Sequence, residues 1–291
     1  PAYIEQSADT QNAVHDILEG KTFDNGLLCS SENSVVVDAA IAATVKDEFT
    51  AQGGHFLNSK DADLLAKALI TKQRLPNAKL VGRSAVEIAK RVGIEVPDRT
   101  RALIVPLKGV GRDYPLSIEK LCPVLSFYVV QDWREGCERC QEILRYGGMG
   151  HTMSIHSRDD EIILEFGLKK PAFRIVVNTP TTLGAIGMTT GLDPSMTLGC
   201  GGYGGNITSD NISPRHLLNI KRIAYDTRPP RDSGMLDEAP LPSSRPQPSP
   251  PKLDPRLIAE RIDVFLASRG LRDSVTEKGI KPLAFETSVT V

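Results

Sequence analysis

No apolar run in this 291-residue sequence approaches the roughly 20 residues that cross a bilayer, which argues against an integral membrane protein. An excess of either charge is missing too: 35 lysines and arginines face 36 aspartates and glutamates, a net charge of −1. That balance gives no electrostatic reason to expect nucleic acid as a partner. Cysteines are few and odd in number, five in the whole chain. A disulfide framework calls for a short chain with paired spacings. Cys29, Cys122, Cys137, Cys140 and Cys200 therefore read as free thiols of a reducing compartment. The start at Pro1 carries neither a methionine nor a basic-then-apolar signal pattern, and no internal repeat is visible. What remains is ordinary: 40% hydrophobic and 24% charged residues, too apolar and too neutral for disorder throughout.

Proline is unevenly spread. The stretch Arg228–Pro255 is dense in proline and serine and nearly free of large apolar groups, so it predicts a disordered linker. Before it, helix and strand signals alternate. Asp9 reads as an N-cap for a helix in which Ala13, Val14, Ile17 and Leu18 recur at helical spacing. Further helices are expected over Ala39–Thr50, Asp61–Lys72 and Ala85–Arg91. Strands are expected over Ser34–Asp38, Ala102–Pro106, Val124–Val130, Thr152–His156 and Phe173–Asn178. Buried runs separated by helices predict an α/β layer around a largely parallel open sheet.

Cys29 follows the polar turn Asp24–Asn25–Gly26 and precedes a hydroxyl-rich segment and a strand. Backbone N–H groups at such a junction lower a thiol pKa and stabilise an oxyanion. On spacing alone a buried structural cysteine is the commoner reading. Cys137 and Cys140 form a C-x-x-C, but there is no second pair to complete a metal site. In GCERCQEILRY they fall on an amphipathic helix, with Cys140, Ile143 and Leu144 on one face, and core packing is expected. Gly199–Gly204 satisfies G-x-G-x-x-G by letter, but that fingerprint must open a helix, and NITSDNISP follows as loop. His15, His55, His156 and His216 are isolated and read as structural.

The segment FDNGLLCSSENSVVVD resembles the catalytic-cysteine segment of CoA-acylating aldehyde dehydrogenases. IEKLCPVLSFY at Ile118–Tyr128, GGMGHT at Gly147–Thr152, and RIVVNTPTTLGAIG leading into TLGCGGYGGN at Arg174–Asn206 occur in that family's order. The resemblance runs from Pro1 to about Arg228. It implies the family's catalytic domain fold, with Cys29 as the nucleophile that forms a thiohemiacetal and then a thioester. NAD is the implied hydride acceptor, and coenzyme A takes the acyl group. Glu119 matches the glutamate that holds the nicotinamide ribose diol, a role for which a carboxylate is suited, and Pro123 belongs to the same cofactor-binding segment. Without the family match, Glu119 is a solvated loop charge. His151 matches a histidine near the thiol route. Its ordinary pKa near neutrality would let it accept the CoA proton, or it anchors a loop. Asn178 and Thr179 match the segment closing the acyl pocket, with Gly201 in the glycine-rich run beside it. No metal is implied. Cys200 reads as a bystander.

Beyond the linker, Asp254 caps and Gly270 stops a short helix with Leu257, Ile258, Ile262, Phe265 and Leu266 in one stripe. It resembles the encapsulation peptides that direct enzymes into bacterial microcompartments. A helix docking on its own body, or driving self-association, is the plainer reading. The expected organisation is 1–22 ending a cofactor-binding half, 23–227 catalytic domain, 228–253 linker, 254–270 helix and 271–291 tail. The resemblance implies an N-terminally truncated enzyme acting on a short aliphatic aldehyde, homo-oligomeric, cytoplasmic and held in a microcompartment lumen through a shell protein. A hydrolytic aldehyde dehydrogenase and a non-catalytic shell-binding cargo fragment are the alternatives.

Overall fold

The computed structural model describes residues 1–227 together with Glu260, Arg261 and Val264. The chain divides into two units, Pro1–Lys221 and Arg222–Val291, and the first holds the sheet and its helices. In the second, Glu260, Arg261 and Val264 are helical and exposed. The linker 228–253, most of the expected helix 254–270 and the tail 271–291 lie outside the described residues.

The first unit runs β1 (Ala2–Ile4), α1 (Thr10–Thr22), β2 (Ser34–Asp38), α2 (Ala42–Ala51), β3 (Gly54–Phe56), α3 (Ser59–Leu69), α4 (Ala85–Val92), β4 (Ala102–Pro106), β5 (Val124–Val130), α5 (Trp133–Tyr146), β6 (Gly150–His156), α6 (Asp160–Leu168), β7 (Ala172–Val177) and α7 (Thr181–Ala185). The seven strands form one sheet in the order β3-β4-β5-β2-β1-β6-β7. Every pairing in it is parallel. A parallel sheet covered on both faces needs strands that are apolar on both sides, and all five residues of SVVVD in β2 are buried. Among the described residues no helix is long and apolar enough to cross a membrane.

Side-chain alternation divides the core. Ala2, Ile4, Val35, Val37, Leu125 and Phe127 pack against α1 and α2 on one face. Tyr3, Val36, Tyr128, Met153 and Ile155 meet α5 and α6 on the other. There Tyr3 stacks on Phe166 with centroids 4.9 Å apart. Caps set the helix starts as the chemistry requires. The Asp9 carboxylate accepts from Asn12 N at 3.2 Å. Asp132 accepts from Arg134 N and Glu135 N at 2.8 and 3.1 Å.

Cys137 and Cys140 are buried on α5. Burial pushes the Cys140 thiol up to about 12, so it is inert in the core as the spacing suggested. One expectation is revised. Residues 1–22 are not separate from the sheet of residues 23–227: β1 lies in its interior between β2 and β6, and α1 covers its face. A three-residue strand is too short to show alternation, which is why β1 and β3 are not evident in the sequence. Neither is α7, five residues long after Pro180.

Candidate active site

A cavity of about 410 Å³ opens at the amino ends of the central strands, within the size range of small-molecule sites. Open α/β sheets ordinarily take ligands at the carboxyl ends. Here the lining comes from Cys29–Asn33 ahead of β2, Ile118 and Glu119 ahead of β5, and Gly147, Gly148, His151 and Thr152 around the start of β6. Ile143, Leu144 and Tyr146 on α5, Thr181 on α7, and Arg74–Pro76 complete most of the wall. Cys29, Glu119 and His151, distant in sequence, thus face one space.

Cys29 is exposed on its loop. Its thiol is held above the ordinary thiol range: partial desolvation raises it first and the Glu119 carboxylate raises it further. A backbone hydrogen bond and the Arg174 guanidinium oppose this without reversing it. The expectation of a depressed thiol pKa is therefore corrected, because the loop's N–H effect is outweighed by desolvation and a like charge. Alkylation of Cys29 by iodoacetamide is expected to show a pH midpoint above the ordinary value of about 8.5. A midpoint below that value in a mass-spectrometric time course would contradict this electrostatic picture.

His151 makes a 2.9 Å contact from Nδ1 to Thr152 Oγ1. Burial, then the charge of Arg174, pushes its pKa down to about 4. It is a neutral imidazole at physiological pH and a weaker base than its ordinary value suggests. Arg174, buried on β7, donates from Nε to Thr152 Oγ1 at 3.3 Å and to the Ser209 carbonyl at 2.7 Å, and also to the Gly199 carbonyl. It clamps the glycine-rich run against β6. The approach is close enough that a Cβ at Gly150, which has φ +78°, would collide with the Cys200 carbonyl.

Glu119 is exposed at the mouth, and among the described residues its carboxylate has no hydrogen-bond partner, so both oxygens are available to a diol. Desolvation raises its pKa, and Lys21 and Lys120 oppose the rise. Beneath it, the fully buried Lys120 donates to the carbonyls of Asn33, Leu116 and Ile118 at 3.1, 2.7 and 3.1 Å and to Ser126 Oγ at 3.1 Å. This clasp joins the Glu119 loop to the Cys29 loop.

The other expected site residues lie elsewhere. The Pro123 carbonyl accepts from Leu103 N at 2.9 Å within the sheet. The Asn178 carboxamide spans the backbone N–H and carbonyl of Ser157 at 3.0 and 2.9 Å. Thr179 Oγ1 bonds Thr189 Oγ1 at 2.6 Å. Gly201 packs under the Phe173 ring. None of these four lines the cavity.

Glu32, not evident from sequence, does line it. The residue is 1% exposed; Oε1 accepts from Thr181 N at 2.6 Å, while Oε2 is buried without a partner. Its only sequence signal is a carboxylate set beside a strand-forming run.

No family model matches the chain. An aldehyde-alcohol dehydrogenase of Streptococcus pneumoniae is 38% identical over 232 residues, 77% of this chain and 26% of the relative. A solved acetylating aldehyde dehydrogenase from Geobacillus thermoglucosidasius is 44% identical, with a TM-score of 0.76 over 79% of this chain and 50% of that one. A propionaldehyde dehydrogenase from the Clostridium phytofermentans fucose-utilisation microcompartment is 27% identical, with a TM-score of 0.65 over 72% and 47%. The chain spans a quarter to a half of the length of these relatives. By sequence and by fold, the chain is similar to one part of the acylating aldehyde dehydrogenases.

Proposed function

We propose that this chain carries the acyl-transfer site of a CoA-acylating aldehyde dehydrogenase that converts a short aliphatic aldehyde to its acyl-CoA. The observation that carries this reading is the convergence of Cys29, Glu119 and His151 on one cavity. Cys29 Sγ, as thiolate, adds to the aldehyde carbon to give a thiohemiacetal, and loss of hydride leaves a thioester on Cys29. The free carboxylate of Glu119 suits the ribose diol of a nicotinamide cofactor, which when bound supplies the hydride acceptor; NAD is our reading. His151, neutral and held by Thr152, forms part of the cavity wall that also carries Cys29. The CoA thiol then attacks the thioester carbonyl and Cys29 leaves. Relatives named as acetylating support a thiol rather than water as the acyl acceptor.

The microcompartment origin of the Clostridium phytofermentans neighbour supports placing the enzyme in such a lumen; engagement of a shell protein by residues 254–270 and assembly as a homo-oligomer are parts of the same proposal. The test is burst and turnover with propionaldehyde and NAD, with and without CoA. Propionyl-CoA formed only when CoA is present, with no propionate in its absence, is the expected outcome. Propionate release at an equal rate without CoA would favour the hydrolytic alternative.

A further inference from the structure

Acyl transfer to a thiol needs a proton acceptor, and neither His151 nor Cys29 supplies one suited to neutral pH. His151 is too weak a base, and Cys29 is the leaving group. Glu32 stands three residues from Cys29 in the same cavity wall. Its niche is built for a carboxyl group: Gly20 on α1 leaves room where any Cβ would collide with both carboxyl oxygens. The Thr181 amide at the head of α7 fixes Oε1. Oε2 is left buried with no partner, which is costly unless a ligand or a proton meets it.

We infer that Glu32 is the proton acceptor for the incoming CoA thiol, an assignment that rests on the proposed acyl-transfer function. In the step, the CoA S–H proton passes to Glu32 Oε2 as the sulphur bonds to the acyl carbon. The carbon–sulphur bond to Cys29 then breaks, and the proton returns from Glu32 to the Cys29 thiolate. Atoms balance and nothing is oxidised. The charged side chain facing Glu32 is Lys21 on α1; α7, with sequence TTLGA, brings no titratable side chain. Desolvation dominates and pushes the Glu32 carboxyl up to about 7, so the carboxylate is present above that pH and lost below it. A base with a pKa near the working pH is the effective one.

The test uses the full chain acylated on Cys29 with p-nitrophenyl acetate, which needs no nicotinamide. Single-turnover transfer of the acetyl group to CoA is then followed from about pH 5 to about pH 9, bracketing carboxyl and thiol titrations. The wild-type rate is expected to rise with pH and inflect near 7. Glu32→Gln should lose that inflection and fall by about 10²-fold at neutral pH, with acylation of Cys29 reduced far less. Glu32→Asp should recover part of the rate with the inflection. If Glu32→Gln slows acylation and transfer equally and keeps the wild-type profile, Glu32 is an anchor for Thr181 and the inference is overturned. Should Glu32→Gln not fold, the absence of an inflection near pH 7 in the wild type overturns it as well. Cys29 refusing the acetyl group altogether would remove the acyl-transfer reading itself, a result distinct from either.

Discussion

Replacing Cys29 by alanine is expected to remove acyl-enzyme formation, with a rate loss on the order of 10⁴-fold or more, as for other covalent nucleophiles. The expectation rests on position. Cys29 is the one cysteine that is both exposed and on the cavity; Cys122, Cys137 and Cys140 are buried, and Cys200 is not among the lining residues. Cys29→Ser should do little better, because a hydroxyl is a far weaker nucleophile at neutral pH than even a thiol with a raised pKa. Cys200→Ala is expected to leave acylation with p-nitrophenyl acetate close to wild type. The acylation burst of each variant checks this, and a full burst in Cys29→Ala would move the nucleophile elsewhere.

The second large effect concerns stability. Lys120→Met keeps the volume of the side chain and removes the ammonium that holds four acceptors. Two of these keep another donor: Leu116 O is met by Ser126 Oγ at 2.6 Å, and Asn33 O by Ser126 N at 3.2 Å. Ile118 O loses the one donor it has among the described residues. Stranding buried acceptors predicts a loss of about 2–4 kcal/mol, a fall in Tm of roughly 5–15 °C for a unit of this size. Desolvation holds the Lys120 pKa well below its usual value. The folded state therefore binds fewer protons than the unfolded one between the folded and the ordinary pKa, and stability from this group rises with pH across that window. The pH dependence of Tm at alkaline pH should flatten in Lys120→Met. An unchanged Tm would mean that the clasp is ornamental and that the two loops are held by other contacts.

The strands were the legible part. Ser34–Asp38, Ala102–Pro106 and Val124–Val130 begin and end where the sequence places them, because runs rich in branched and apolar residues bounded by polar turns have few other ways to bury themselves. Cys29 and His151 were singled out through their motifs, and both line the cavity. Two things were not legible. Glu32, Lys120 and Arg174 are charges at the margins of strand runs, where a solvated face is the usual meaning; only the tertiary packing buries them. The pKa directions arise from that burial, which is why the thiol and the imidazole both depart from their sequence-based expectations. The site's location was hidden as well. The parallel arrangement brings the loops ahead of β2, β5 and β6 to one end of the sheet, while β7 ends at the other and carries Asn178 away from the cavity.

The acyl-enzyme mechanism is tested most plainly by locating the acyl group. The full chain is treated with p-nitrophenyl acetate, digested, and mapped by tandem mass spectrometry before and after addition of CoA. The expected result is a single acetyl thioester on the peptide containing Cys29, discharged as acetyl-CoA when the thiol is added and stable in water without it. An acetyl group found on another residue, or one on Cys29 that water removes as fast as CoA does, would contradict the mechanism.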